Sequence, residues 1–188
     1  MNILVNTYGS TQCYCRPDTT WERENRDFYS PECVNEIDYT PVIFARISKA
    51  GKCIGKKFVG RYYDSFNFGV LLYCRTDETS DIAFSSCADH SSFLPMPLHN
   101  TASLENEENI FELIKEDEKL FSTNCGENIK EILENSICRA STLTSLRIGD
   151  YVAVELARPE LLSCKNAGST KIKACFCEDE IISTNIIF

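Results

Sequence analysis

The sequence predicts a β-rich α+β protein, and three observations predict it. Runs of β-branched and aromatic residues recur at 42–48, 68–74, 151–157, 170–176 and 181–188. Only 127–136 has a convincing helical period: Ile129, Ile132, Leu133 and Ile137 share one stripe, with Glu127 in the first turn. No internal repeat, low-complexity tract or Pro/Gly linker divides the 188 residues. One domain over 1–188, with a core of its own, is therefore expected.

The elements follow in order. Residues 42–48 form a strand that ends at Lys49-Ala50-Gly51-Lys52, a turn, and resumes at Cys53-Ile54, which predicts a hairpin. Residues 68–74 are almost continuously apolar, as in a strand buried on both faces. Residues 105–121 are ambiguous. Seven acidic residues and the spacing of Ile110, Leu113 and Ile114 suit an amphipathic helix. Two strands at 109–115 and 119–123, joined at Glu116-Asp117-Glu118, suit the same residues equally well. After the helix, 151–157 and 170–176 read as strands, and 181–188 closes the chain with a β-branched tail.

Composition excludes several classes. Hydrophobic residues make up 43% and charged residues 25%, ordinary for a globular chain and wrong for a disordered or fibrous one. The net charge of -9 repels phosphate backbones, so nucleic acid is not expected as a partner. No apolar run approaches the roughly 20 residues of a membrane span. The opening Met-Asn-Ile-Leu-Val-Asn is too short and uncharged for a secretory signal. The eleven cysteines, an odd number, are then read as reduced thiols of a cytoplasmic protein. The C-x-C pairs Cys13/Cys15 and Cys175/Cys177 lack the spacing of a structural zinc site and read as plain thiols.

A series of short segments carries a family resemblance. Arg16-Pro17-Asp18-Thr19, Asn35-Glu36-Ile37-Asp38-Tyr39 and Lys57-Phe58-Val59-Gly60-Arg61-Tyr62-Tyr63-Asp64 come in this order, followed by Gly69-Val70 and Arg75. Ala83-Phe84, Phe93-Leu94-Pro95 and Leu146-Arg147-Ile148-Gly149-Asp150 continue the series. Together they resemble the fumarylacetoacetate hydrolase family, metal-dependent hydrolases and decarboxylases of 2-oxo and β-diketo acids. The resemblance implies a mixed β-sheet roll or sandwich of that family's C-terminal domain type, with one or two short helices. Its N-terminal segment is shortened to about residues 1–15. The resemblance favours the hairpin reading of 105–121.

The family binds Mg, Mn or Ca through a Glu-x-Glu strand and an Asp on the next strand. That spacing aims both glutamates at one face, and hard cations need such oxygen ligands. In this sequence Thr40 and Val42 stand where the resemblance places the glutamates, and Leu71 where it places the Asp. A cation deprived of counter-charge is strongly disfavoured, so neither metal nor another cofactor is expected. Ile82 takes the place of a family lysine, and Val154-Glu155-Leu156-Ala157 replaces a Thr-Gly-Thr-Pro strand end. The family's N-terminal His-x-x-Glu is absent, and the two histidines, His90 and His99, lie elsewhere. No residue is assigned as catalytic.

Arg16, Asp18, Arg75, Asp77, Ile82 and Glu155 form a candidate ligand pocket, with Arg75 and Asp77 as an ion pair and Glu155 reaching into the vacated site or toward Arg16 or Arg75. Cys87, Asp89 and His90 fit either a nucleophilic set or a polar loop. Trp21 reads as a packed aromatic, and the acidic run as a solvated edge that blunts aggregation. The function expected is that of a non-catalytic homologue, a pseudoenzyme acting by association or ligand binding. Association means a homodimer or a heteromer with an active relative. The alternatives are a hydrolase or lyase on a 2-oxo or diketo acid with a rewritten, metal-independent site, and a carboxylate-binding module using Arg16 or Arg75.

Overall fold

The computed structural model describes residues 1–77 and 81–188. The elements begin with β1 (Ile3–Asn6), β2 (Cys13–Arg16), β3 (Trp21–Glu22), β4 (Phe28–Tyr29), β5 (Glu36–Ile47) and β6 (Tyr63–Arg75). Next come α1 (Ile82–Ser85), β7 (Ser92–Phe93), β8 (His99–Asn100), β9 (Ile110–Lys115), β10 (Glu118–Asn124) and α2 (Glu127–Leu143). The chain closes with β11 (Tyr151–Glu155), β12 (Glu160–Cys164), β13 (Ser169–Phe176) and β14 (Asp179–Ile187). The protein is mostly β, with two mixed sheets, as expected. The first runs β2-β1-β11-β5-β6-β7-β3, with β12 also on β5 and β8 on β6; the second runs β10-β9-β13-β14-β4. Strand pairs β1/β11, β3/β7 and β4/β14 are parallel.

Two expectations about local structure need correction. The partner of 42–48 is not Cys53-Ile54. Strand β5 instead pairs antiparallel with β6 along its whole length, from Glu36 opposite Arg75 to Ile47 opposite Tyr63. Two β-branched or small residues after a tight turn cannot compete with the long apolar run of β6. Cys53 sits at a positive φ of 53°, and Gly51 makes an isolated bridge to Leu146. Helix α2 does not stop at residue 136: it spans 17 residues, to Leu143. Ile137 and Ala140 extend its buried stripe past a polar stretch that hides the period. Residues 105–121 resolve as the β9/β10 hairpin, with Glu116 at a φ of 52° in the turn.

The two faces of the first sheet differ. Its outer face packs against α2 and the second sheet in one large core that includes Leu4, Ile43, Val152, Leu133, Phe111 and Phe176. Its inner face carries Ile3, Val5, Val42, Phe44, Leu71 and Tyr73. The sheet curls into a half-barrel around that inner face. The Tyr14 hydroxyl on β2 meets the Tyr73 hydroxyl on β6, although β1, β11 and β5 lie between their strands. Among the described residues no helix is long and apolar enough to cross a membrane.

Candidate functional site

The strand register brings the three positions of interest together inside the half-barrel. Thr40 lies directly opposite Leu71, and Val42 opposite Gly69. Alternation along β5 places Thr40 and Val42 on one face, and all three side chains are fully buried. Val42 and Leu71 pack with Ile3, Val5, Phe44 and Ala153. Gly69 leaves no room beside them, since a Cβ there would lie 2.4 Å from the Phe93 carbonyl oxygen. Thr40, the one member with an oxygen, donates its hydroxyl to the Ala157 carbonyl at 2.8 Å. This donor set does not fit a hard divalent cation, which needs several oxygens with anionic character. Among the described residues no group of three or more His, Cys, Asp and Glu side chains is placed to hold a metal.

A polar chain lies beside these residues. The Tyr73 hydroxyl donates to Oε1 of Glu155, and the Tyr14 hydroxyl shares a hydrogen bond with that of Tyr73. The second Glu155 oxygen, Oε2, accepts the Tyr8 backbone N–H at 2.8 Å. The Arg16 guanidinium lies 5.0 Å from the Tyr73 ring centroid. Its Nε donates to the Ser86 carbonyl at 3.0 Å, Nη1 to the Ser91 carbonyl at 3.2 Å and the Ser92 hydroxyl at 3.0 Å, and Nη2 to the Leu72 carbonyl. Arg16 thus clamps β2 to β6 and to the loop before β7.

Burial sets the ionisation of this chain. It pushes Tyr14 up to about 12 and Tyr73 well above the ordinary phenol range. Glu155 is also raised by burial, against the lowering pull of its bonds from Tyr73 and Tyr8 and of the Arg16 charge. Both phenols keep their protons at neutral pH. The Tyr73 hydroxyl and the Tyr8 N–H satisfy the buried Glu155 carboxyl, which is the condition for burying one at all.

The six candidate pocket positions do not line one cavity. Arg16 is fully buried and spent on backbone carbonyls. Asp18 and Ile82 are exposed, each opening a short helical turn. Arg75 pairs with Glu36 at 2.7 Å and Asp38 at 2.9 Å rather than with Asp77, because those carboxylates face it across β5. Arg75 and Asp77 border a cavity of about 410 Å³ with Asn35, Glu36 and Lys165. Glu155 turns inward to Tyr73, not to Arg75, and forms no ion pair with Arg16.

The remaining candidates are structural. His90 Nδ1 lies 3.0 Å from buried Glu22, and the Cys87 thiol donates to the Ala83 carbonyl, so no nucleophile–base pair assembles. Trp21 packs on Tyr151 and donates to the Leu94 carbonyl at 2.9 Å. All eleven cysteines are free thiols. Sequence reasoning passed over Tyr14 and Tyr73. Only Tyr73 carried a signal, since it follows Leu71 by two on the same strand face.

The half-barrel, the helix beneath it and the second sheet recur together in solved structures. A fumarylpyruvate hydrolase from Pseudomonas aeruginosa, in complex with Mn2+ and pyruvate, superposes with a TM-score of 0.80 at 11% identity, covering 100% of this chain and 90% of that one. This chain has the fold of fumarylacetoacetate hydrolase family proteins. A Yersinia pestis protein assigned to that family gives 0.76 at 14% identity, covering 99% and 92%. Maleylpyruvate hydrolase from Sphingobium sp. SYK-6 gives 0.75 at 12% identity, covering 97% and 69%. No protein-family model matches the sequence, and no curated protein matches it. The likeness to the fumarylacetoacetate hydrolase fold is therefore one of tertiary structure.

Proposed function

We propose that the chain is a single-domain, non-catalytic relative of the fumarylacetoacetate hydrolases that acts in the cytoplasm by association, as a homodimer or beside an active relative. One observation carries the reading: the positions where the resemblance places three carboxylates come together in the half-barrel without one. Thr40, Val42 and Leu71 are fully buried among apolar neighbours. The polar remainder, Tyr14, Tyr73, Glu155 and Arg16, is tied together and to backbone groups. The fold neighbour from Pseudomonas aeruginosa holds Mn2+ and pyruvate. Bringing a charged ion and an oxo acid into the interior of the present chain would mean burying charge without compensation. Large apolar side chains on the outside, Tyr29, Leu143 and Ile148 among them, offer contact area for a partner.

Calorimetric titration with Mn2+ and Mg2+, paired with a pyruvate-release assay on fumarylpyruvate, tests the reading. The expected outcome is no saturable uptake and no turnover, with a mass above that of one chain in light scattering. Tight Mn2+ uptake lost on substitution of Thr40 or Leu71 would overturn it. Metal-independent turnover lost in Glu155→Gln would favour the rewritten active site instead.

A further inference from the structure

Helix α2 and the turn after β1 enclose a second cavity, of about 640 Å³, on the outer face of the first sheet. That volume falls in the usual range of small-molecule sites. It opens on the α2 side of the sheet, and Glu155, whose carboxyl bonds Tyr73 and the Tyr8 N–H, borders it as well. Val154 and Leu156 face α2 in the outer core, whereas Glu155 between them turns inward to Tyr73. The helix contributes Ile129, Ile132, Ser136 and Arg139, which share one face by their spacing of three and four.

Two features of the lining are unspent. Arg139 makes no ion pair among the described residues, and its Nη1 donates to the Ser10 carbonyl at 2.7 Å. A guanidinium has a fork of five donors, and its strongest partner is a carboxylate. Asn6 is fully buried, and its Nδ2 donates to the Ser136 carbonyl at 3.4 Å. Its Oδ1 and the neighbouring Ser136 Oγ are buried without a partner. A buried acceptor left unmet is costly, so a donor brought by a ligand would bind there with gain. Ser136 and Arg139 stand one turn apart, about 4.5 Å along the helix axis. Phe121, Ile132 and Leu156 supply an apolar wall.

We propose that this cavity binds a small 2-hydroxy carboxylic acid with an apolar side chain. The carboxylate sits on Arg139, the hydroxyl donates to Asn6 Oδ1, and the hydrocarbon lies against Phe121, Ile132 and Leu156. A 2-oxo acid offers only acceptors at the second position and leaves Asn6 Oδ1 unmet.

Calorimetry and thermal shift on the full chain test this with two matched series. These are 2-hydroxy-4-methylpentanoate and 2-hydroxy-3-phenylpropanoate, each beside its 2-oxo and its unsubstituted counterpart. Saturable binding of a hydroxy acid, about tenfold or more tighter than its counterparts, is expected. Arg139→Gln should abolish it, and Arg139→Lys, which keeps the charge but not the fork, should weaken it. Arg139 is half-buried on the helix surface, so both variants should fold. No binding of either hydroxy acid, equal binding of the oxo acid, or binding unaffected by Arg139→Gln overturns the proposal. Glu155 borders both sites, but Arg139, Asn6 and Ser136 take no part in the half-barrel reading. Mn2+ uptake would sink that reading and leave this one standing, and loss of hydroxy-acid binding would do the reverse.

Discussion

Thr40 and Leu71 face each other across β5 and β6, both fully buried. Their juxtaposition fixes what the half-barrel interior can hold. Leu71 makes apolar contacts throughout, and Thr40 turns its hydroxyl to the Ala157 carbonyl. Leu71→Asp should therefore lower stability by about 3 kcal/mol or more, from lost apolar burial plus an uncompensated carboxylate. Urea denaturation reads this as a lower midpoint, and added Mn2+ should not restore it.

Tyr73→Phe removes the hydroxyl that Glu155 Oε1 accepts and that Tyr14 meets. Two buried polar groups lose a partner at once. The expected cost is about 1–3 kcal/mol, with the fold retained. Tyr14→Phe should cost less, because Glu155 keeps its bond from Tyr73.

Glu155 predicts a pH dependence of stability. Burial raises it above its ordinary value of 4.5. Between that value and its folded one, the folded state holds a proton that the unfolded state has released. The native protein then binds more protons, so stability falls as pH rises through this window and is fully present below it. Asp38, also raised by burial, acts in the same direction. The difference between wild type and Glu155→Gln isolates the Glu155 share: the variant should show a shallower decline with pH in thermal melts.

Arg16→Met should destabilise the chain by about 3 kcal/mol. It leaves the Ser86, Ser91 and Leu72 carbonyls without their shared donor. Arg16→Lys should recover only part, since a point charge cannot reach all of them in one plane. A hydrogen-exchange experiment should show faster exchange around Ser86 and Ser92 in both.

Gly69→Ala should cost about 2 kcal/mol by overpacking. The added methyl group would strike the Phe93 carbonyl, forcing β6 from β7. Circular dichroism melts should show a lower transition with unchanged content.

Strands β13 and β14 of the second sheet and the core of β6 are legible because long apolar or alternating runs carry their own period. The hairpin at β9 and β10 was not decidable from its residues, since acidic side chains at both spacings fit a helix and a strand alike. The resemblance tipped it correctly. The partner of β5 is not legible in its flanks, because a Lys-Ala-Gly-Lys turn looks like a hairpin whatever follows it.

The amino-acid order by itself determined that Thr40, Val42 and Leu71 offer no carboxylate, that strands dominate, and that one amphipathic helix follows Gly126. Those are properties of residue type and spacing, and they need no partner. Only the tertiary structure decided that Arg16 is a clamp rather than a ligand contact, that Tyr14 meets Tyr73 and Tyr73 meets Glu155, and that Arg139 borders a cavity behind the sheet. Each depends on residues from about 60 to more than 130 positions apart being brought together by the curl of one sheet and the helix packed on its back.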